Sequence, residues 1–268
     1  MNIVGIIPAR MASTRFPGKP LEKIHGMPMI GHVYYRCKMA SILDEVYVAT
    51  CDQEIADYIS HIGGETIMTS SSHERASDRV AEAVSIMEKN TGNKIDIVVL
   101  IQGDEPLVVP EMIEAAVEPL LKEDGVTVSN LMEDMTSYKE FEDPNEVKVV
   151  VNSEGYALYF SREPIPSRKQ YSGASLPIRK QVCIIPFTRE CLLEYTALDP
   201  TPLEIIESID MLRFLEHGKK IKMVLTEHKT FSVDTEKELR QVETLMKDDL
   251  LLKKYQDDGN IFSSNNIC

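Results

Sequence analysis

Short apolar runs alternate with amphipathic segments through the first half of the chain, and this alternation restricts the fold more than any other feature. Residues 3–7 and 95–101 form short, mainly apolar runs that are typical of buried strands, and residues 45–50 are also strand-like. Residues 78–90 place apolar side chains on one helical face. Repeated βα units of this length predict an α/β fold, in which a doubly wound, mostly parallel sheet carries helices on both faces.

A smaller, β-rich region is predicted after residue 128, where the βα rhythm stops. Residues 146–162 predict two strands around a Ser-Glu-Gly turn, which is a hairpin rather than a βα unit. Residues 163–180 hold three prolines and several small polar residues, so they predict a loop or flexible flap. The remaining predicted elements are a helix over 203–217, a helix from Glu236 and a polar tail from about residue 248.

Charge and composition exclude several classes of partner. The 268 residues include 43 acidic and 29 basic side chains, a formal net charge of −14, so neither nucleic acid nor an anionic membrane is an expected partner. The five cysteines contain no Cys-x-x-Cys pair, and their odd number argues against a disulfide framework. No basic leader and no apolar stretch of about 18 residues is present, which predicts a cytoplasmic protein.

A basic loop, IPARMASTRFPGKPL, follows the first predicted strand. It leaves the carboxyl end of that strand, where open α/β sheets bind ligands. It contains no G-x-G-x-x-G, and its lysine precedes proline rather than Ser or Thr, so it is not a P-loop. Cations, hydroxyls and a glycine still suit a loop that wraps a triphosphate, although a solvated basic loop is the alternative. These residues are Arg10, Arg15 and Lys19, with Ser13, Thr14 and Gly18.

Carboxylates follow two other predicted strands. The segment IQGDEPL places Gln102 and Asp104 directly after the most apolar strand, at the same sheet edge as the basic loop. The segment FSVDT supplies Asp234 ahead of the final helix. Asp104 alone is also compatible with a simple turn, and Asp234 with a helix N-cap. Together they predict a Mg²⁺ site, since Mg²⁺ takes one or two protein carboxylates and leaves its other positions to water and phosphate.

Two further segments carry weaker signals. The segment SHERASDR contains Arg75 and Arg79, which are able to reach a ligand, while Ser77 and its neighbour Asp78 resemble a helix N-cap. Arg162 follows an aromatic strand and suits a bidentate contact to a substrate carboxylate, although an ordinary surface arginine is the commoner case. No Ser-His-Asp or Cys-His arrangement is evident, so covalent catalysis is not predicted.

Six segments together resemble the motifs of one family, the 3-deoxy-manno-octulosonate (Kdo) cytidylyltransferases or CMP-Kdo synthetases. The segments are IPARMASTRFPGKPL, IQGDEPL, DPNEVKVV, EGYALYFSREPIP, TPLEIIESIDMLR and VDT, spread over residues 3–245. The resemblance implies a nucleotidyltransferase fold of the nucleotide-diphospho-sugar transferase type and a homodimer. It also implies that the anomeric hydroxyl of a 2-keto-3-deoxy sugar acid attacks the α-phosphorus of CTP with Mg²⁺, giving a CMP-sugar for lipopolysaccharide biosynthesis and pyrophosphate.

The resemblance also implies a division of the chain. Residues 1–145 with 219–250 would form the nucleotide-binding core, 146–218 the acceptor-binding and dimerisation region, and 251–268 a tail. The implied catalytic residues are Lys19, Asp104 and Asp234, with both aspartates as magnesium ligands. The predicted nucleotide-binding residues are Arg10, Ser13, Arg15, Lys19, Arg75, Ser77 and Arg79, of which Arg75 is a cation that the family pattern does not contain. The implied acceptor-binding residues are Gln102, Arg162, Gln181, Glu204, Asp210 and Met211.

Departures from the family pattern concentrate on the acceptor side. Gln181 replaces a usual histidine, and Asp210 and Met211 replace a usual glutamate and glutamine, while Ala76 replaces a glycine beside the nucleotide. Losing hydrogen-bonding groups changes which hydroxylated sugar a site accepts. The sequence therefore favours a cytidylyltransferase with an altered acceptor, another 2-keto-3-deoxy sugar acid. The alternatives are a non-ulosonic acceptor (another carboxylate, phosphate or phosphonate) and a non-catalytic nucleotide-binding homologue.

Overall fold

The computed structural model describes residues 1–13, 15–169 and 178–263, with side chains of the last helix described to residue 256. The chain forms two compact units, one from Met1–Glu114 with Thr230–Cys268 and the other from Ala115–Lys229. The second unit therefore begins earlier than residue 146 and ends later than residue 218. The reason is that Ser129–Asp134 and Lys222–Thr226 pair as strands within it. Thr14, residues 170–177 of the predicted flap and the 264–268 end of the predicted tail lie outside the described residues.

The first unit begins with parallel βα structure. Its elements are β1 (Ile3–Ala9), a 3₁₀ helix (Lys19–Leu21), β2 (Lys23–Ile24), β3 (Met27–Pro28), α1 (Met29–Lys38), β4 (Glu45–Thr50), α2 (Gln53–His61), β5 (Glu65–Met68), α3 (Ala76–Thr91) and β6 (Ile97–Ile101). Strands β6, β1, β4 and β5 lie in that order and each pair is parallel. Every residue of β1 and β6 is buried, which is why both read as continuous apolar runs. The predicted parallel sheet is confirmed.

The second unit contains a mixed sheet. After α4 (Pro110–Lys122), its elements are β7 (Ser129–Asp134), α5 (Tyr138–Glu142), β8 (Lys148–Val151), β9 (Ala157–Ser161), β10 (Arg179–Val182), β11 (Ile184–Thr188), α6 (Arg189–Ala197), α7 (Pro202–Glu207), α8 (Met211–Glu216) and β12 (Lys222–Thr226). Strands β12, β7, β10, β8 and β9 are neighbours in that order, β12 and β7 parallel and the others antiparallel. The predicted hairpin is confirmed as β8 and β9.

The prediction of one helix over 203–217 is wrong. The chain forms α7 and α8 instead, because Ser208 takes a left-handed conformation with φ of +54° and ends α7. Leu212 and Phe214 of α8 remain buried, so the apolar periodicity that suggested a single helix still reports the packed face.

The chain returns to the first unit with α9 (Glu236–Met246) and α10 (Leu250–Ser263). The residues of the second helix are predicted as a tail, without a helix being assigned to them. Leu252 and Tyr255 of α10 are nevertheless buried in one apolar cluster with Ile24, Met29 and Val233. Burial of this face stabilises the helix, since most helical stability in proteins comes from packing rather than from propensity.

Candidate active site

The basic loop is fixed at both ends within the first unit. The amide of Met11 donates to the Asp52 carboxylate at 2.8 Å, and the amide of Gly18 donates to the Met11 carbonyl at 3.0 Å. Gly18 has φ of +77°, a conformation that only glycine adopts without strain, and it directly precedes the 3₁₀ helix that starts at Lys19. Ser13 accepts a hydrogen bond from the Phe16 amide. The loop is therefore a defined turn that presents Lys19.

Lys19, Asp104 and Asp234 meet at one point. The Lys19 ammonium donates to Asp104 Oδ2 at 2.7 Å and to Asp234 Oδ1 at 3.0 Å. It also donates to the Val233 carbonyl at 2.9 Å. The amide of Val233 in turn donates to the Asp104 carbonyl at 2.9 Å, so the two acidic segments are bonded directly to each other. Residues from three distant parts of the sequence thus form one ionic cluster in the first unit.

Glycine at position 103 permits the loop after β6 to approach β1 closely. A side chain there would place its Cβ 3.0 Å from the Pro8 carbonyl and 3.1 Å from Ile30. These distances are shorter than ordinary van der Waals contacts. The close approach at the carboxyl ends of β1 and β6 sets the position of Asp104. The backbone carbonyl of Gln102, the residue before this glycine, accepts a hydrogen bond from the Glu105 amide.

Lys19 is a fixed cation. Burial alone would lower the pKa of Lys19, but the charges and hydrogen bonds of Asp104 and Asp234 outweigh burial and raise that pKa above its ordinary value. Arg15 supplies a second cation, with Nη2 2.9 Å from Asp234 Oδ2 and a side chain that is 51% exposed. The cluster therefore holds a permanently charged lysine, which cannot act as a base, and an accessible guanidinium.

The N-cap alternative for Asp234 is wrong. Thr235 caps α9 instead, accepting the amide of Glu238, and Glu238 reaches back to the amides of Asp234 and Thr235 at 2.8 Å. Because Glu238 and Thr235 satisfy the start of the helix, the Asp234 carboxylate is left to face the two cations. A capping box directly after an aspartate is a sequence signal that would have resolved this alternative.

The donor set fits a magnesium ion that also contacts phosphate. Asp104 and Asp234 each place a carboxylate oxygen within 3.0 Å of the same nitrogen atom, so the two can face one cation. In the described part of the chain, no group of three or more His, Cys, Asp or Glu side chains converges as a complete metal cage. Two carboxylates are what Mg²⁺ uses when phosphate oxygens and water supply its other ligands.

The other predicted nucleotide residues fall into two groups. Arg79 is buried, and its guanidinium donates to Thr69 Oγ1 at 2.6 Å and to the carbonyls of Ser70 and His73, so it holds the loop before α3. Arg10 is exposed and lies 3.5 Å from the same His73 carbonyl. Helix α3 begins at Ala76, two residues before the predicted start, and Arg75 is its N-cap. The predicted N-cap at Ser77 and Asp78 is therefore wrong, because both residues lie in the first turn, where Ser77 is buried.

The predicted acceptor residues of the second unit already have partners inside that unit. The Glu204 carboxylate accepts two hydrogen bonds from Arg213, at 2.6 and 2.7 Å, and both side chains are buried. Arg162 donates to the carbonyls of Pro144, Glu207 and Ser208. The Gln181 amide donates to the Asn130 side chain at 2.6 Å. The Asp210 carbonyl accepts a hydrogen bond from the Tyr195 hydroxyl, and Met211 is buried.

The parallel sheet and the ionic cluster at its carboxyl edge define a class, the nucleotidyltransferases of the nucleotide-diphospho-sugar transferase type. A model of the cytidylyltransferase family matches residues 4–221. A curated 3-deoxy-manno-octulosonate cytidylyltransferase from Trichlorobacter lovleyi is 43% identical over 92% of this chain and 99% of its own. One from Thermodesulfovibrio yellowstonii is 42% identical over 91% and 97%. The chain belongs to the 3-deoxy-manno-octulosonate cytidylyltransferase family, and it is a cytidylyltransferase.

Solved structures agree with this assignment. A CMP:2-keto-3-deoxy-manno-octonic acid synthetase complexed with CTP matches with a TM-score of 0.84 and 36% identity, covering 93% of this chain and all of the other. A cytidylyltransferase from Leptospira borgpetersenii is 18% identical with a TM-score of 0.61, a likeness that shows the fold alone. Among the helices of the described residues, none has the length and apolar character needed to cross a membrane.

Proposed function

We propose that this chain transfers CMP from CTP to the anomeric hydroxyl of a 2-keto-3-deoxy sugar acid, Kdo or a Kdo-like acid, with Mg²⁺ and with release of pyrophosphate. The observation that carries the proposal is the meeting of Lys19, Asp104 and Asp234 at one point at the carboxyl edge of the sheet. The names of the similar proteins support the donor and the acceptor class, since these relatives use CTP and act on Kdo by name.

The reaction requires positioning and charge neutralisation more than covalent chemistry from the protein. The acceptor oxygen forms a bond to the α-phosphorus, the bond from that phosphorus to the bridging oxygen breaks, and the hydroxyl proton is released to water. Lys19 remains protonated and stabilises charge on the transferring phosphate. Arg15 and Arg10 hold the outer phosphates as exposed guanidiniums able to form bidentate contacts.

Asp104 and Asp234 would hold the magnesium ion. When bound, this ion neutralises phosphate charge and polarises the α-phosphoryl group. The two carboxylates keep their separation without it, because the Val233 amide is bonded to the Asp104 carbonyl and Lys19 spans both side chains. The protein thus contributes a preformed pair of anions rather than a complete metal cage.

The acceptor is proposed to be a 2-keto-3-deoxy sugar acid that differs from Kdo in its hydroxyl pattern. Met211 is buried and apolar, and the Gln181 amide is held by Asn130, so this pair offers fewer polar groups than the family pattern. An apolar pocket disfavours a substrate that adds a hydroxyl by about 10²-fold. Gln102 and Asp210 remain predicted acceptor contacts.

A homodimer is part of the proposal. In the sheet of the second unit β9 is the last strand in the order, and Leu158 on it is 59% exposed. Ile205 and Ile206 of α7 are 63% and 76% exposed. Exposed large apolar side chains beside a strand edge are typical of a surface that a second copy covers. Sedimentation velocity of the purified chain, compared with an Ile206→Asp variant, tests this part.

Pyrophosphate release tests the function directly. CTP and Mg²⁺ are supplied with Kdo or with a panel of related sugar acids, carboxylates, phosphates and phosphonates. Release with a sugar acid, abolished by EDTA and restored by Mg²⁺, is expected. Release with Kdo at the rate of the strongest acceptor would remove the altered-acceptor part alone. Release only with a non-ulosonic acceptor, or no release with any acceptor, would overturn the proposed reaction.

A further inference from the structure

A hydrogen-bond network of mostly buried polar side chains lies in the first unit, which also holds the ionic cluster. Arg36 on α1 is completely buried, and it donates from Nη2 to Asp249 at 2.6 Å, from Nη1 to the Val108 carbonyl at 3.3 Å and from Nε to the Tyr255 hydroxyl at 3.4 Å. The Tyr255 hydroxyl lies 2.7 Å from His32 Nδ1, and His32 Nε2 lies 2.8 Å from the Ile24 carbonyl.

The donor and the acceptor of each hydrogen bond in this network follow from the Ile24 carbonyl and the charge of His32. A carbonyl only accepts, so His32 Nε2 carries the proton that is donated to Ile24. Burial, with the charge of Arg36 as a lesser cause, lowers the pKa of His32 to about 4, so the ring is neutral near pH 7 and its Nδ1 accepts. The Tyr255 hydroxyl must then donate to Nδ1 and accept from Arg36. The hydrogen bonds from Arg36 through Tyr255 and His32 to Ile24 therefore all run in one direction.

The hydrogen-bond network ends at backbone segments that also carry residues of the ionic cluster. Ile24 belongs to β2, directly after the 3₁₀ helix that begins at Lys19. Val108 belongs to the turn after Asp104, in which the Val108 amide bonds to Glu105. Asp249 follows α9, the helix that begins after Asp234.

Apolar packing connects the same parts. Val233, whose carbonyl accepts from Lys19, lies in one buried cluster with Leu252 and Tyr255 of α10. Tyr35 of α1 stacks on the Tyr255 ring at 5.5 Å between centroids. The last helix therefore shares a buried apolar cluster with Val233, the residue that directly precedes Asp234.

We infer that Arg36, Tyr255, His32 and Asp249 are positioning residues, and that docking of α10 through them holds Lys19, Asp104 and Asp234 at the separation needed for magnesium and nucleotide. This inference rests on the proposed function for the magnesium role. The buried chain of side chains reaches none of the reacting atoms itself. It acts by fixing three backbone segments relative to one another, as outer partners of metal ligands do.

Tyr255→Phe is the sharpest test, because it removes one hydroxyl and keeps the ring in its packing position. Tyr34→Phe is the matched control, since it removes the hydroxyl of another buried tyrosine of α1, one that contacts Glu65 instead. The first readout is amide hydrogen exchange without nucleotide or metal. Exchange of the Val233 amide is expected to be about tenfold faster in Tyr255→Phe than in wild type and unchanged in Tyr34→Phe.

The second readout is the Mg²⁺ concentration that half-saturates pyrophosphate release. It is expected to rise by about 10-fold to 100-fold in Tyr255→Phe and in Asp249→Asn, measured below the unfolding transition of each variant. Arg36→Lys is expected to behave like the loss variants, because an ammonium cannot span Asp249, Val108 and Tyr255. Wild-type exchange at Val233 and wild-type half-saturation in folded Tyr255→Phe and Asp249→Asn would overturn the inference.

The two readouts separate this inference from the proposed function. A wild-type enzyme that needs no Mg²⁺ would contradict the proposed metal role and the metal part of the inference. Faster Val233 exchange in Tyr255→Phe would still establish the mechanical coupling in that case. A wild-type enzyme that needs Mg²⁺, with variants that match it in both readouts, would overturn the inference alone.

Discussion

The two units contain ion pairs of the same chemistry in opposite surroundings. In the first unit, Asp104 and Asp234 are partly exposed and share Lys19, and Asp234 also pairs with the exposed Arg15. In the second unit, Glu204 and Arg213 form a bidentate pair with side chains 1% and 5% exposed. A partly exposed pair exchanges partners at little cost, whereas breaking a buried pair leaves an uncompensated charge in the interior. The first arrangement suits ligand binding and the second suits stability.

The largest effect is expected in the first unit. Asp104→Asn and Asp234→Asn should each lower kcat by about 10²-fold to 10³-fold, because each removes an anion proposed to hold magnesium and to orient Lys19. Steady-state pyrophosphate release measures this loss. Asp57→Asn on the exposed face of α2 is the matched control and should retain activity. A kcat within about threefold of wild type in either site variant would contradict the assignment.

The buried pair of the second unit should show the opposite behaviour. Glu204→Gln is expected to lower the free energy of unfolding by about 3 kcal/mol, since it leaves the Arg213 charge buried without its partner. Urea denaturation measures the change. Glu118→Gln, which breaks an exposed pair with Lys122, should lower it by less than about 1 kcal/mol. Unchanged stability with a raised acceptor KM would show instead that Glu204 binds acceptor, and the contrast between the units would fail.

A smaller effect is expected at Gln181, where the two interpretations of the second unit can be separated. Gln181→Ala should raise the acceptor KM by about tenfold and leave the CTP KM unchanged, because the lost amide is proposed to face the sugar acid. Gln53→Ala on exposed α2 is the control. Equal changes in both KM values, or no change in either, would show that the amide serves only its bond to Asn130.

The smallest effect concerns pH and the interior of the first unit. The pKa of His32 is lowered from 6.5 to about 4 by burial, so between these values the unfolded chain binds a proton that the folded chain does not. The contribution of His32 to the free energy of unfolding is fully present above pH 6.5 and is lost as the pH falls toward 4. At pH 5.5 the loss is about 1 kcal/mol relative to neutral pH. Urea denaturation at pH 7.5 and 5.5 should show a smaller loss in His32→Gln than in wild type. Parallel losses would contradict the buried neutral ring.

Much of the fold of the first unit is predictable because β1 and β6 are buried on both faces and its amphipathic helices on one. Residues 45–50 are predicted as a strand and form β4 with the same bounds. The break at Ser208 is not predictable, since apolar spacing continues across it and only the backbone conformation changes. Helix α10 is missed because its stability depends on a cluster with Ile24 and Val233, far away in sequence.

The candidate site is predictable to the extent that parallel strands bring their carboxyl ends together. That rule places Asp104 near the basic loop, and the structure does bring Lys19, Asp104 and Asp234 together. Their roles remain predictions. The rule does not show whether a charged side chain is already satisfied by a distant partner, as Arg79 is by Thr69 and Arg162 by the Ser208 carbonyl. Such partners depend on tertiary structure that spacing along the chain does not encode.

The hydrogen bond from the Val233 amide to the Asp104 carbonyl has a consequence for how this chain can vary. The segment Ala115–Lys229 is inserted in the sequence of the first unit. The bond between Val233 and Asp104 joins the two chain segments that precede and follow this insertion. Lys19, which donates to both carboxylates, holds the same two segments together a second time. Variation in the second unit therefore need not change the separation of the two aspartates, because the contacts that set it lie within the first unit.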